Sequence, residues 1–179
     1  MLFRSGAPGS GKTSILRALA DMGYAVVEEA ATDANTAALA RGEAEPWTDP
    51  LFIDTIVRLQ HHRLAELVPA GAAAQIHDRS AVCTLALARW LGRPVTATLR
   101  GELAEITGAG TFDRRVFFVR PIGFCQPTAV RRIRYSDSLR FERVHESEYR
   151  RLGFEIVDVP AGGVGVRAAM IDDCIRSWA

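Results

Sequence analysis

Eight consecutive residues of the sequence fit a loop that binds phosphate. Residues 6–13 read Gly-Ala-Pro-Gly-Ser-Gly-Lys-Thr and match the P-loop pattern G-x-x-x-x-G-K-S/T at every defined position. The glycines let successive backbone N–H groups point at one anion, the Lys12 ammonium can reach the outer phosphates, and the Thr13 hydroxyl can bind Mg²⁺. The motif therefore predicts a site for ATP and Mg²⁺. The residues expected to bind the nucleotide here are Gly6, Pro8, Gly9, Ser10, Gly11, Lys12, Thr13 and Ser14.

Lys12 is the only lysine in the chain, and the other strongly basic side chains are all arginines. A single lysine, found at the one position where a P-loop requires it, favours phosphate binding over coincidence. The alternative is a glycine-rich turn that caps a helix and binds no ligand. The flanking residues favour the first interpretation, because residues 2–5 predict a strand and residues 14–22 predict a helix that ends before Gly23.

Two glutamates end the next predicted strand. Residues 24–29 predict a buried parallel strand that finishes with Glu28 and Glu29. Ligands of open parallel sheets bind beyond the carboxyl ends of the strands, so a carboxylate here is expected near the P-loop. Successive strand residues point to opposite faces, so only one of the two glutamates can face the site. We expect Glu29 to orient or deprotonate a hydroxyl group of an acceptor molecule.

Asp78, Arg79 and Ser80 follow a third predicted strand, over residues 72–77. An aspartate beside the P-loop strand can hold Mg²⁺ through water, and Arg79 can neutralise phosphate charge. Two alternatives stay open: the two site carboxylates could exchange roles, and Asp78 and Ser80 could cap the helix predicted over 81–91. The predicted catalytic residues are Lys12, Glu29, Asp78 and Arg79, and the predicted metal ligands are Thr13 and Asp78.

An arginine-rich stretch lies in the second half of the chain. Residues 114–151 contain ten arginines and four acidic residues. We expect residues 121–140 to form a mobile lid in which Arg131 and Arg134 bind the nucleotide. The alternatives are an RNA-binding surface or an ordinary solvated helix. Nucleic-acid binding is disfavoured, because aromatic residues are not interleaved with the arginines and the net charge of the whole chain is only +1.

Strands and helices alternate along the whole sequence, which indicates an α/β fold with a doubly wound parallel sheet and helices on both faces. A long helix is predicted to begin at Asp49 and Pro50 and to contain His61 and His62, for which no metal partner lies at ligand spacing. His145 is expected to be a packed histidine. We expect one domain over residues 1–179, with strands at 2–5, 24–29, 72–77, 115–119 and 154–159.

Composition restricts the class of protein further. A chain of 179 residues with 48% hydrophobic residues can bury one substantial core. Cys83, Cys125 and Cys174 are widely spaced, so neither a disulfide framework nor a zinc site is implied, and a reducing compartment is expected. No leader sequence and no apolar run of membrane-spanning length is found in this sequence. We therefore expect a cytoplasmic protein whose partners are a nucleotide and a small molecule, without nucleic acid or membrane.

The sequence resembles small P-loop ATPase and kinase domains related to bacterial ribosylnicotinamide kinase, often described only as AAA-family ATPases. Besides the P-loop, the resemblance rests on residues 23–31, the triplet that begins at Asp78, residues 149–154, and Val159-Pro160 followed by Arg167. It implies a P-loop NTPase fold like that of nucleoside and nucleotide kinases. The triplet and the acid that ends the second strand are also similar to those of deoxynucleoside kinases, which implies phosphoryl transfer to a small acceptor with a hydroxyl group.

The sequence departs from this family at Thr32, where the family usually has arginine, and this bears on the identity of the acceptor. No Asp-Glu pair follows a strand as in ATPase motors, which favours a kinase. The alternatives are an ATPase or a catalytically quiet nucleotide-binding regulatory module.

Overall fold

The computed structural model describes residues 1–64, 74–108, 110, 112–124 and 133–178, in which strands alternate with helices. The strands are β1 (Leu2–Gly6), β2 (Ala25–Val27), β3 (Gln75–Asp78), β4 (Arg115–Val119) and β5 (Glu155–Val159). The helices are α1 (Lys12–Asp21), α2 (Ala30–Ala40), α3 (Phe52–Leu64), α4 (Ala81–Trp90), α5 (Ala97–Gly108), α6 (Tyr135–Arg151) and α7 (Val164–Trp178), and a short 3-10 helix spans Pro46–Thr48.

The five strands form one parallel sheet in the order β2-β3-β1-β4-β5. The predicted α/β architecture with a five-stranded parallel sheet is therefore confirmed. β1 lies at the centre, between β3 and β4. Because the strands are parallel, the loops that follow β1, β2 and β3 emerge at the same edge of the sheet. This edge carries the P-loop, Glu29 and Arg79.

Two hydrophobic clusters cover opposite faces of the sheet, because side chains alternate along each strand. In β4, Val116 and Phe118 belong to one cluster, whereas Phe117 and Val119 belong to the other. Residues of α3, α4, α5 and α6 pack in the first cluster, and residues of α1 and α7 pack in the second. The predicted coverage of both faces by helices is confirmed.

Several element boundaries differ from those predicted. β2 ends at Val27, so Glu29 lies beyond the strand as the residue that precedes α2. α3 begins at Phe52, because the Asp49 carboxylate accepts a hydrogen bond from the Leu51 backbone N–H at 2.8 Å and forms a turn before the helix. α6 begins at Tyr135, whereas the sequence pattern predicts a helix only from Leu139 to Leu152.

Parts of two predicted features lie outside the described residues. These parts are the predicted beginning of the third strand and residues 125–132 of the predicted lid, including Arg131. Arg134 is described; it is exposed and directly precedes α6. Across the part of the chain that the structure describes, none of the helices is both long and apolar enough to span a bilayer.

Candidate active site

The P-loop connects β1 to α1 and is tightly constrained at its start. Gly6 has a φ of 136°, and a Cβ atom at this position would overlap the backbone oxygen of Val119 on β4. Gly11 has a φ of 84° and directly precedes α1. These left-handed values favour glycine. The Thr13 and Ser14 side chains are exposed in the first turn of α1, so the loop presents hydroxyl groups at a helix N-terminus.

Lys12 is buried against its own loop. It is 6% exposed, and its Nζ donates hydrogen bonds to the Ala7 carbonyl at 2.6 Å and to Ser10 Oγ at 3.4 Å. Burial, together with the nearby Arg79 guanidinium, lowers the pKa of Lys12 to about 7. The environment of Lys12 thus disfavours the charged form of its side chain, and an anion bound beside Nζ would stabilise that charged form.

Arg167 of α7 anchors the P-loop from behind. It is 3% exposed; Nη1 donates to the Ser10 carbonyl at 2.7 Å, and Nη2 donates to the Arg120 carbonyl at 2.8 Å. Arg120 itself follows β4, and its side chain pairs with Glu146 of α6 and Asp158 of β5. The loop is therefore fixed to the ends of neighbouring elements by charged side chains that our site prediction from sequence did not include.

Glu29 and Arg79 form an ion pair at the carboxyl edge of the sheet. Burial opposes the charge on Glu29, but Arg79 and Lys12 hold the pKa of its carboxyl below the usual value. Burial also opposes the charge on Arg79, yet Glu29 raises its pKa above the ordinary value. Arg79 is a non-glycine residue with a φ of 75°, a strained conformation of the kind that clusters at functional sites. Glu28, in contrast, is exposed, so Glu29 is the glutamate that faces the P-loop.

His145 of α6 fixes the other side of Arg79. The imidazole is fully buried, and burial together with Arg79 lowers its pKa to about 3. A neutral ring fits both of its hydrogen bonds: Nδ1 donates to the Phe141 carbonyl at 2.9 Å, and Nε2 accepts from Arg79 Nη1 at 3.2 Å. The prediction of a packed histidine is confirmed, and its buried ring also helps to orient Arg79.

Asp78 lies next to a buried arginine. Arg4 of β1 is directly opposite Asp78 in the register of β1 and β3, and Arg4 Nη2 lies 2.9 Å from Asp78 Oδ2. Arg4 is 0% exposed. Within the described residues, Asp78 Oδ1 is buried without a hydrogen-bond partner. One carboxylate oxygen is thus held by Arg4, and the other has spare acceptor capacity.

Ser80 caps the N-terminus of α4, which is one of the two roles that the sequence allowed. Its Oγ accepts a hydrogen bond from the Val82 backbone N–H at 3.1 Å at the start of α4. The same hydroxyl lies 2.8 Å from the Tyr149 hydroxyl, which in turn lies 3.3 Å from Cys83 Sγ. This buried polar cluster ties α4 to α6 beneath Arg79. Asp78 makes no such cap.

A cleft of about 800 Å³ joins the P-loop to Glu29 and Arg79. Lys12, Thr13, Glu29 and Arg79 all line it, whereas Asp78 lies beside it against Arg4. The walls of the cleft include five Phe and Trp side chains and several polar ones. The aromatic residues are Trp47, Phe52, Trp90, Phe124 and Phe141, and the polar residues include Thr32, Asn35, Gln60 and Thr84.

Our sequence prediction missed Arg4 as a site residue. An arginine in the middle of a buried strand, two residues before the first glycine of a P-loop, is a signal that could have been recognised, since arginine is almost never fully buried without a partner. Its partner, Asp78, could be assigned only from the register between strands whose paired residues are far apart in sequence.

The site is electropositive. Four buried or nearly buried cations, Arg4, Lys12, Arg79 and Arg167, surround two carboxylates, Glu29 and Asp78. Buried charges are costly unless they are paired, so this excess of positive charge favours an anionic ligand. The arrangement is suited to the binding of a polyphosphate.

Comparisons with known proteins bear on the fold and on nucleotide binding. No curated protein matches the sequence. Among solved structures, the chain is similar to that of a deoxyadenosine kinase from M. mycoides with the products dCMP and a flexible dCDP bound. The two chains are 13% identical, the match covers 99% of each chain, and the TM-score is 0.65. At this identity the similarity shows the fold alone, which is a P-loop NTPase fold like that of nucleoside kinases.

A family model described as an AAA domain matches residues 4–167. The match extends from the strand that precedes the P-loop to the arginine of α7 that anchors the loop. The matched range thus includes the P-loop, Glu29, Asp78 and Arg79. A match to such a P-loop domain implies nucleotide binding. The chain belongs to this AAA domain family.

Proposed function

We propose that the protein is a magnesium-dependent kinase that transfers the γ-phosphate of ATP to a hydroxyl group of a small, nucleoside-like acceptor. The observation that carries the proposal is that Glu29 and Arg79 line the same cleft as Lys12 and Thr13. Phosphoryl transfer depends on holding the phosphates and the acceptor oxygen in line within one site. The cleft of about 800 Å³ offers space for an acceptor beside the P-loop.

The walls of the cleft favour an acceptor that contains a planar ring. Trp47 and Trp90 line the cleft and are aromatic side chains against which such a group can stack. Gln60 Oε1 accepts a hydrogen bond from Thr84 Oγ1 at 2.9 Å, which leaves the Gln60 amide nitrogen to donate to a ligand. The similar deoxyadenosine kinase binds deoxynucleotide products, which supports a nucleoside-like acceptor.

Glu29 and Arg79 divide the work on the acceptor and the phosphate. Arg79 can donate hydrogen bonds to the phosphoryl group during its transfer, because guanidinium groups stabilise charge on phosphate oxygens. The Glu29 carboxylate can then accept a hydrogen bond from the acceptor hydroxyl and orient it for attack. Since Arg79 lowers the pKa of Glu29, we assign Glu29 mainly to orientation and only secondarily to proton abstraction.

Two residues suit a magnesium ion. The Thr13 hydroxyl is exposed in the first turn of α1, and Asp78 Oδ1 has no hydrogen-bond partner in the described part of the chain. These oxygen donors fit the preference of Mg²⁺ for hydroxyl, carboxylate and water ligands. When bound, the ion would neutralise charge on the phosphates. Arg4 keeps the Asp78 carboxylate in place for this role.

The proposal is tested by measuring ADP release with MgATP and a panel of nucleosides and pyridine ribosides. We expect at least one compound to stimulate ADP release. With that acceptor, Glu29→Gln should reduce transfer by about 10²-fold, the loss expected when a reacting hydroxyl is no longer held in position, while ATP affinity stays nearly unchanged. Glu28→Gln is the matched control, because Glu28 is the exposed neighbour of Glu29. Asp78→Asn should lower turnover and raise the magnesium concentration required.

Two outcomes would contradict a kinase. ADP release without any acceptor, at the same rate in Glu29→Gln, would indicate an ATPase. Tight MgATP binding without turnover across the panel would indicate a nucleotide-binding regulatory module.

A further inference from the structure

A cluster of potential metal ligands joins α3 to α5, outside the cleft. It consists of His61 of α3 and Glu102 and Glu105 of α5, with one ligand atom of each residue within 4.8 Å of the others. No metal partner for His61 is found at ligand spacing in the sequence, because Glu102 lies 41 residues away along the chain. The packing of the two helices brings these residues together, although His61 lies at the surface, with 56% of its side chain exposed.

The distances within the cluster suit a shared ion. His61 Nδ1 lies 2.9 Å from Glu102 Oε2 and 3.7 Å from Glu105 Oε2. Nitrogen and oxygen ligands about 2.0–2.2 Å from one tetrahedral Zn²⁺ are roughly 3.3–3.6 Å apart from each other. The two measured distances lie on either side of that separation. Small side-chain adjustments would therefore place all three ligand atoms around one ion.

Glu102 provides an independent indication. Its side chain is 5% exposed, and its Oε1 atom has no hydrogen-bond partner among the described residues. A buried carboxylate oxygen is costly unless it is paired or coordinates a metal. Oε1 belongs to the same carboxylate as the oxygen facing His61, so an ion held there would lie close to both oxygens. The His61 and Glu105 side chains are 56% and 57% exposed, which leaves a route for the ion and for water ligands.

We propose that His61, Glu102 and Glu105 form a binding site for one divalent transition-metal ion of the zinc type, with water completing its coordination. One imidazole and two carboxylates suit such a borderline ion better than Mg²⁺ or Ca²⁺, which prefer oxygen alone. The ion would link α3 to α5. Because Gln60 precedes His61 and lines the cleft, the metal would also brace the helix that carries part of the proposed acceptor site.

The test uses full-length protein without a polyhistidine tag and without nucleotide, titrated with ZnCl₂ by calorimetry. We expect one site in the unmodified protein, and we expect His61→Gln and Glu105→Gln each to weaken it by about tenfold or more. His62→Gln is the matched control on the same helix and should bind Zn²⁺ as the unmodified protein does. Both ligand substitutions are at largely exposed positions, so the variants are expected to fold, which thermal unfolding without metal will verify.

Two results would overturn the proposal. One is the absence of Zn²⁺ binding, which would leave an ion pair of His61 with the two glutamates; a water in the adjoining cavity of about 20 Å³ could then satisfy Glu102. The other is equal Zn²⁺ affinity in the His61 and His62 variants, which would place the ion elsewhere. Neither result depends on kinase activity, so this test is separate from that of the proposed function.

Discussion

Lys12 illustrates how individual residues at this site are prepared for a charged ligand. Its ammonium is buried beside Arg79 and hydrogen-bonded only to its own loop among the contacts described above. The folded protein therefore holds a group whose charged form is disfavoured until an anion arrives. The pKa of Lys12, about 7 in the folded chain and 10.5 for an ordinary lysine, expresses this cost. Between these two values the unfolded chain binds more protons, so the contribution of Lys12 makes the fold more stable as pH rises.

MgATP binding should therefore be coupled to proton uptake by Lys12. At about pH 8 a group with a pKa near 7 is mostly neutral, and a bound phosphate should restore its charge, so we expect close to one proton to be taken up. At about pH 6 the lysine is already charged and the uptake should be small. Calorimetry in buffers of different ionisation enthalpy measures this number. Lys12→Arg is the control, since arginine stays protonated, and proton uptake equal at both pH values would contradict the prediction.

At the scale of the elements, the position of the P-loop depends on how closely β1 approaches β4. Gly6 ends β1 opposite Val119, in the register that pairs the two strands. The absence of a side chain at Gly6 lets the backbones come this close. The first residue of the P-loop thus has a structural role in the sheet, besides the role in phosphate binding that the motif predicts.

Gly6→Ala should destabilise the protein strongly. The new methyl group would overlap the Val119 carbonyl and occupy a left-handed conformation, so we expect a loss of about 3 kcal/mol or more in the free energy of unfolding. Gly42→Ala is the control, because Gly42 also has a positive φ, of 88°, but a Cβ atom there would meet nothing within 4 Å. It should cost only about 1 kcal/mol. Urea unfolding measures both, and equal losses in the two variants would refute the role of the close approach.

Most helices and strands could be predicted from the sequence, but fewer of the side-chain contacts between them could be, because those contacts join residues far apart along the chain. The P-loop, the alternation of strands with helices along the chain and the packed His145 follow from local motifs and periodicity, and the structure agrees with them. The pairing of Arg4 with Asp78 depends on strand register, and that of His61 with Glu102 depends on how two helices meet. Neither is encoded in short-range spacing. The capping role of Ser80 was open in the sequence because Ser at a strand end suits either a cap or a site.

At the scale of the whole molecule, two kinds of residue border the cleft. Some belong to the loops at the edge of the sheet, and others flank residues 125–132 of the predicted lid. Phe124 and Ile133, the described residues nearest to 125–132 on either side, both line the cleft with Lys12. Asp137 and Phe141 at the start of α6 line it as well. These placements support our proposal that residues 121–140 form a lid over the nucleotide.

MgATP should therefore protect residues 121–140 from hydrogen exchange. We expect slower exchange in peptides from this region when nucleotide is added, because closing a lid over phosphate buries backbone amides. Mass spectrometry of exchanged peptides provides the measurement. Lys12→Ala, which should bind phosphate poorly, is the control and should show no protection. Unchanged exchange in the unmodified protein at saturating MgATP would argue against a lid, and steeply salt-dependent RNA binding would argue for a nucleic-acid surface instead.

The anchoring of the P-loop by Arg167 has a consequence for how the protein is made. Ser10 and Arg167 are separated by 157 residues, and β4, the other support of the loop, is also synthesised long after β1. While the chain is still growing on the ribosome, the loop therefore emerges without the strand that flanks it or the side chain that holds it. We therefore expect the loop to be held in its final shape only after α7 has emerged. A truncated chain that stops before Arg167 should bind ATP more weakly than the whole chain, so that nucleotide affinity would report on the completed fold.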